Sequence, residues 1–255
     1  MVKEAFKEFT RPSVAVDSVI FRVVNNEETS NRGIPRKSLQ TLLVRKKNSD
    51  ETWHLPGTML RLGETSKEAL NRVVTDKAQI GDIYFEQLYT VDDNPYRDKR
   101  GHIISIIYIG VAKADQQIEM AADSEYESKW FWMDLRKDER SGKRSFESED
   151  SKAILDTLMY DHTQIFEDAL SRIQGKLMYT DIGFKFVGST FTIKELENVF
   201  SAVNMNVIPS FRRLILQKIE ETGIKTDGNA FRPAQLFRQK GIDKSTLSDD
   251  KNKEL

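Results

Sequence analysis

The chain has 255 residues, 38% hydrophobic, 9% aromatic and 31% charged, which suits two folded domains with heavily solvated surfaces. It contains no cysteine, so disulfides, thiolate metal sites and cysteine nucleophiles are excluded; nothing resembles a signal peptide or the roughly 18 apolar residues of a membrane helix, and a cytoplasmic protein without a membrane is expected. The net charge of −1 hides an asymmetry: residues 171–240 carry 11 Lys and Arg against 6 Asp and Glu, a balance of +5 that leaves −6 for the rest and points to an anionic partner at the C-terminal end.

In chain order, "SVAVDSVIFR" from Ser13 and "LQTLLVRKK" from Leu39 read as strands, with the polar "NNEETSNRGIPRK" as a loop between them. A helix is predicted over Ser66–Gln79, opened by a capping box of Thr65 and Glu68. The runs "IYFEQLYTV", "HIISIIYIGVAK" and "KWFWMDL" are rich in Ile, Tyr, Val and Trp and read as further strands. The charged stretch Arg136–Lys152 is expected to be an exposed loop. From Ala153, apolar residues at Ile154, Leu158, Ile165, Ala169, Leu170, Ile173 and Leu177 recur at helical spacing. The polar residues 241–255 are expected to form a disordered tail.

In "STFTIKELENVFSAV", Thr192 and Glu195 form a second capping box, and Leu196, Val199, Phe200 and Val203 make one apolar stripe. "PSFRRLILQKIEE" then predicts a helix with Pro209 at its first helical position, Phe211, Ile215 and Ile219 inward, and Ser210, Arg212, Arg213 and Gln217 outward. After the turn "TDGN", "AFRPAQLFRQK" reads as a basic hairpin strand presenting Arg232 and Arg238. Such helices and a hairpin suit either a DNA-binding module or a dimerising one.

Between Trp53 and Gly81, "WHLPGTMLRLGETSKEALNRVVTDKAQIG" follows the spacing of a Nudix box, G-x5-E-x7-R-E-U-x-E-E-x-G-U, whose glutamates hold divalent metal against a pyrophosphate. Glu64 and Arg72 match the first Glu and the Arg. Val73, Asp76 and Lys77 stand where three glutamates belong, Thr58 replaces the first Gly, and Gln79 replaces the last. Lys77 puts an ammonium where a cation would bind, which disfavours Mg²⁺. Taken alone, the box also admits an ordinary loop and amphipathic helix over Gly57–Ile80.

The stretches "YFEQLYTVDDNPYRDKRGHIISIIYIG", Tyr84–Gly110, and "LMYDHTQIFEDALSRIQGKLMYTDIGFKFVGSTFTIKELENVF", Leu158–Phe200, resemble the Nudix-related transcriptional regulators of NAD metabolism, the NrtR family. The resemblance spans roughly 14–238. It implies an α+β chain: a Nudix-like mixed α/β sandwich sensing a ligand over residues 1–152, then a linker helix and a winged helix-turn-helix binding DNA over 153–240. It further implies a homodimer on double-stranded operator DNA, repressing NAD biosynthesis or salvage genes until ADP-ribose or a related nucleotide releases it, with no required cofactor or metal. The alternative is a Nudix hydrolase acting on ADP-ribose or another nucleoside diphosphate derivative.

Arg97, Asp98, Arg100 and Gly101 share a turn before a buried strand, where two guanidiniums can fork onto phosphate oxygens and the glycine permits close approach. Arg45, Arg61 and Glu64 join them if the sheet assembles as in Nudix folds. Pairing of Arg97 and Arg100 with Asp92 and Asp93 in a solvated hairpin is the competing reading. The DNA-contacting set is Thr192, Lys194, Ser210, Arg212, Arg213, Gln217, Arg232 and Arg238. His54 and His102 are expected to flank the cleft, and His162 to fix the junction between domains by hydrogen bonds.

Overall fold

The computed structural model of the chain describes residues 11–26, 36–50, 52–81, 83–150, 152–204, 210–226 and 233–241. Pro209, Arg232, the tail from residue 242 and most of the first expected loop lie outside the described residues. The chain divides into two compact units. The first runs to Phe21 and resumes at Gln40–Val111 and Gln116–Ser171; the second comprises Arg22–Leu39, Ala112–Asp115 and the chain from Arg172.

The sheet is built from β1 (Ser13–Asn26), β2 (Arg36–Lys46), β3 (Gly57–Met59), β4 (Tyr84–Val91), β5 (Ile103–Val111), β6 (Tyr126–Met133), β7 (Phe146–Ser148) and β8 (Ile154–Leu155). Its order is β4-β5-β1-β2-β6-β7-β8, with β3 antiparallel to β1. β1 and β5 run parallel from Ser13↔Ile103 to Phe21↔Val111. Val16 to Phe21 are all buried, Asp17 and Ser18 included, because β1 is covered on both faces. Val16 packs with Ala69 and Leu70 of α1 (Ser66–Arg72) and with Tyr108. Phe21, of opposite parity, packs against Phe166 of α2 (His162–Tyr179), whose ring also meets Phe146 at 5.0 Å. Burying each such ring contributes about 1.5–3 kcal/mol.

Three sequence expectations are corrected here. The helix predicted over Ser66–Gln79 is α-helical only to Arg72, and Val73–Ala78 is a π-helix. Within this stretch the Thr75 hydroxyl lies 2.9 Å from the Asp76 carboxylate and 3.2 and 3.3 Å from the Asn71 and Arg72 carbonyls. The stretch Arg136–Lys152 is no mere loop, because it contributes β7, whose Phe146 fills the gap under Phe166. Its single core aromatic was masked by charged neighbours. Lastly, Ile154 lies in β8 with its side chain exposed, and the helix begins at His162.

In the second unit a 3-10 turn (Ile182–Phe186) precedes α3 (Ile193–Asn204) and α4 (Phe211–Leu216), followed by the hairpin β9 (Ile219–Lys225) and β10 (Gln235–Gln239). The capping box forms as expected: Thr192 N–H donates to Glu195 and Glu195 N–H to the Thr192 hydroxyl. Leu196, Val199, Phe200, Val203, Phe211, Ile215, Ile219 and Phe237 are buried, with Phe200 and Phe211 at 5.0 Å. Phe191 bridges Phe237 through paired backbone hydrogen bonds, fastening the hairpin to the start of α3. The predicted second helix is cut short. Ile219 is inward as expected, but it opens a strand opposite Gln239, since a single buried isoleucine fits either periodicity.

Candidate functional site

Arg72, the arginine of the degenerate box, is a structural clamp. Its guanidinium forks onto the Glu64 carboxylate with two contacts of 2.9 Å, and also donates to the Thr58 hydroxyl at 2.8 Å and the Met59 carbonyl at 3.0 Å. Glu64 also accepts from Arg61 N–H, and these bonds hold its carboxyl down at about 2. Val73 is buried in the core, while Asp76 is exposed and accepts from Thr75. Gln79, at the last Gly of the box, has a left-handed backbone with φ of 56°, which costs a non-glycine residue about 1–2 kcal/mol. These residues do not fit a divalent cation: one carboxylate is saturated, one faces solvent, and the others are gone. No group of three or more His, Asp or Glu among the described residues is arranged to hold a metal.

The π-helical turn decides where Lys77 points. At about 100° per residue, a regular α-helix would set Lys77 some 140° round the axis from Arg72. The underwound turn brings the two toward one side, where Arg72 holds Thr58 and Met59 and the Lys77 ammonium donates to the Gly57 carbonyl at 2.7 Å. That ammonium also sits 4.7 Å from the centre of the Tyr126 ring.

Lys77 lines a cavity of about 300 Å³, whose walls include Asp17, His54, Thr58, Arg100, Tyr126, Tyr160 and His162. His54, Tyr160 and His162 form an aromatic cluster with ring separations of 5.4–6.3 Å. The Arg100 guanidinium lies 4.5 Å over Tyr160. Tyr160 has φ of 58°, a strained conformation for an aromatic residue. Burial keeps His162 neutral, lowering its pKa to about 4; its Nδ1 accepts from Leu55 N–H at 2.9 Å, so the ring proton is on Nε2, 4.0 Å from Asp17. Burial likewise raises the pKa of Asp17, opposed by Ser105 and Arg97.

Of the seven expected ligand residues, Arg100 lines the cavity. Asp98 orients it, accepting from its Nε at 3.0 Å and its terminal nitrogen at 2.6 Å, and is held below its ordinary pKa by that bond. Gly101 closes the turn with φ of 145°. Arg97, its side chain 9% exposed, turns inward to Asp161, the Ile103 carbonyl and the Ser105 hydroxyl. Arg45 pairs with Glu127 and lies 4.7 Å over Trp53, Arg61 is exposed, and Glu64 is the partner of Arg72. Sequence reasoning missed Tyr160, Tyr126 and Asp17 as cavity residues. Asp17 carried a signal, a carboxylate within an apolar strand; the backbone angle of Tyr160 carried none. His54 and His162 line the cavity, His162 accepting from Leu55 N–H, and His102 is exposed.

In the second unit Ser210, Arg212, Arg213 and Gln217 are exposed along and beside α4. Ser210 is the N-terminal cap residue, with φ of 61° and no side-chain capping bond. Thr192 caps α3, Lys194 pairs with Glu197 at 2.9 Å, and Arg238 pairs with Glu220 across the hairpin at 2.6 Å. Arg232 lies outside the described residues.

A NUDIX domain model matches residues 23–149, and the model for the NrtR DNA-binding winged helix domain matches 183–239. The chain joins a Nudix domain to an NrtR-type DNA-binding winged helix domain. It is similar to the ADPR responsive transcriptional repressor NtrR of Acinetobacter baylyi, 25% identical over 91% of this chain and 83% of that one. The crystal structure of Shewanella oneidensis NrtR complexed with a 27mer DNA aligns with a TM-score of 0.64 at 26% identity, over 89% of this chain and 93% of that one. An ADP-ribose pyrophosphatase of Methanocaldococcus jannaschii is 33% identical over 41% of this chain and 53% of its own length. The expected α+β architecture, Nudix domain followed by winged helix, is therefore correct.

Proposed function

We propose that the chain is a cytoplasmic, ligand-responsive repressor that senses ADP-ribose through residues 1–152 and binds operator DNA through 153–240 as a homodimer. The observation that carries the sensing half is Lys77, an ammonium within the cavity at a position where a Nudix hydrolase has a metal-binding glutamate. With Arg100 on the same cavity, two cations suit a pyrophosphate without metal. The DNA-bound relative and the winged helix match support the other half, with Arg212 and Arg213 exposed on the second helix of that unit. NAD biosynthesis or salvage genes are the targets that the resemblance to NrtR regulators implies. A two-fold dimer matches the symmetry of a palindromic operator.

The rival reading, hydrolysis of ADP-ribose, draws on the archaeal pyrophosphatase relative. One assay separates the two. Purified chain is incubated with ADP-ribose and Mg²⁺ or Mn²⁺, and binding is followed by calorimetry in parallel. Binding with negligible turnover is expected; turnover of about 1 to 10³ per second would make the chain an enzyme.

A further inference from the structure

We propose that the Lys77 ammonium serves as a built-in counter-charge for the pyrophosphate of the bound nucleotide, replacing the divalent cation that a Nudix box would otherwise supply. The inference rests on the effector reading above and adds a residue and a metal independence to it. Three observations carry it. The box carboxylates are unfit for metal, as Glu64 is neutralised by Arg72, Asp76 faces solvent and Val73 lies in the core. The π-helical turn aims Lys77 at Gly57 on the cavity wall, where its ammonium is also held over the Tyr126 ring. The cavity sets two cations, Lys77 and Arg100, against a single carboxylate, Asp17, beside a neutral His162, so its walls favour an anion. A pyrophosphate bridge has two adjacent anionic groups for two such cations, whereas a monophosphate has one.

The test is calorimetric titration of the full chain with ADP-ribose and with AMP, each in EDTA and in millimolar Mg²⁺. Wild-type chain is expected to bind ADP-ribose equally in both buffers. Lys77→Gln should weaken ADP-ribose about ten- to a hundredfold and AMP much less, and Lys77→Arg should stay near wild type. Lys77→Glu should bind worst in EDTA and recover with Mg²⁺, since it restores a metal-binding carboxylate. Thermal melts confirm that each variant is folded, and Lys77→Gln decides the matter if Lys77→Glu is not. Undiminished ADP-ribose binding by Lys77→Gln overturns the proposal. So do equal losses for AMP and ADP-ribose, which mark a merely structural lysine, and a wild type that requires Mg²⁺. A wild type that binds no ADP-ribose in either buffer overturns the effector reading itself.

Discussion

The Arg97 guanidinium bonds the Asp161 carboxylate and thereby ties the turn after β4 to the residue immediately ahead of α2. Three hydrogen bonds donated by one planar group, to Asp161, the Ile103 carbonyl and the Ser105 hydroxyl, leave Arg97 little freedom to meet a ligand. Its neighbour Arg100 is over half exposed and lines the cavity. Arg97→Met should therefore cost about 3–5 kcal/mol of stability by leaving Asp161 and buried acceptors without their partner. Arg100→Ala should cost less than about 1 kcal/mol and weaken ligand binding instead. Denaturant melts and calorimetry on both variants check this division. Equal losses of stability would refute it.

His162 predicts an acid-side loss of stability. Its pKa falls from 6.5 unfolded to about 4 folded, so the unfolded chain binds the extra proton throughout that interval. Stability is fully present above pH 6.5 and declines as pH falls toward 4, by at most about 3 kcal/mol. His162→Asn, which keeps an acceptor for Leu55 N–H, should flatten that slope in melts between pH 6.5 and 4. An unchanged slope would assign it to other groups.

Gly183 has a packing role in the second unit. A Cβ there would stand 2.6 Å from the Phe200 ring and 3.2 Å from Leu177. Gly183→Ala should destabilise this unit by about 1–3 kcal/mol through overpacking, measured by melting. Pairing it with Phe200→Leu should recover part of the loss, and no recovery would place the strain elsewhere.

Arg212 and Arg213 are expected to contact DNA, while Arg238 is already balanced by Glu220. Single Ala variants at 212 and 213 should weaken binding to a defined operator fragment. A phosphate contact should lower the salt slope by about one, and a base contact should cost about 1–3 kcal/mol at one base pair. Arg238→Ala should do less than either. Unchanged affinity in both α4 variants would leave that helix to dimerisation.

Most of the fold was legible because its signals are local. The capping boxes at Thr65 and Thr192 formed as read, as did the apolar runs that became β1, β4, β5 and β6. The sequence was opaque where tertiary contacts overrule local pattern. Phe146 sits among charges yet completes an aromatic pair, and Ile219 suits a helix yet begins a strand. The candidate site was half visible. Its lost glutamates could be read from spacing, but the π-helical turn that carries Lys77 to the cavity wall has no sequence signature of its own. Likewise, two arginines of one turn are alike in sequence, and only packing sends Arg97 inward and Arg100 toward the cavity.

The central claim, that a nucleotide bound without metal controls DNA binding, is tested most directly by operator affinity. Genomic fragments captured by the chain and sequenced supply the operator. Its affinity is then measured in EDTA at fixed salt with and without ADP-ribose. The expected result is a loss of affinity of about 5–150-fold at saturating ADP-ribose, with the nucleotide recovered intact. Affinity unchanged by ADP-ribose, or changed only when Mg²⁺ is present and the nucleotide is cleaved, would contradict it.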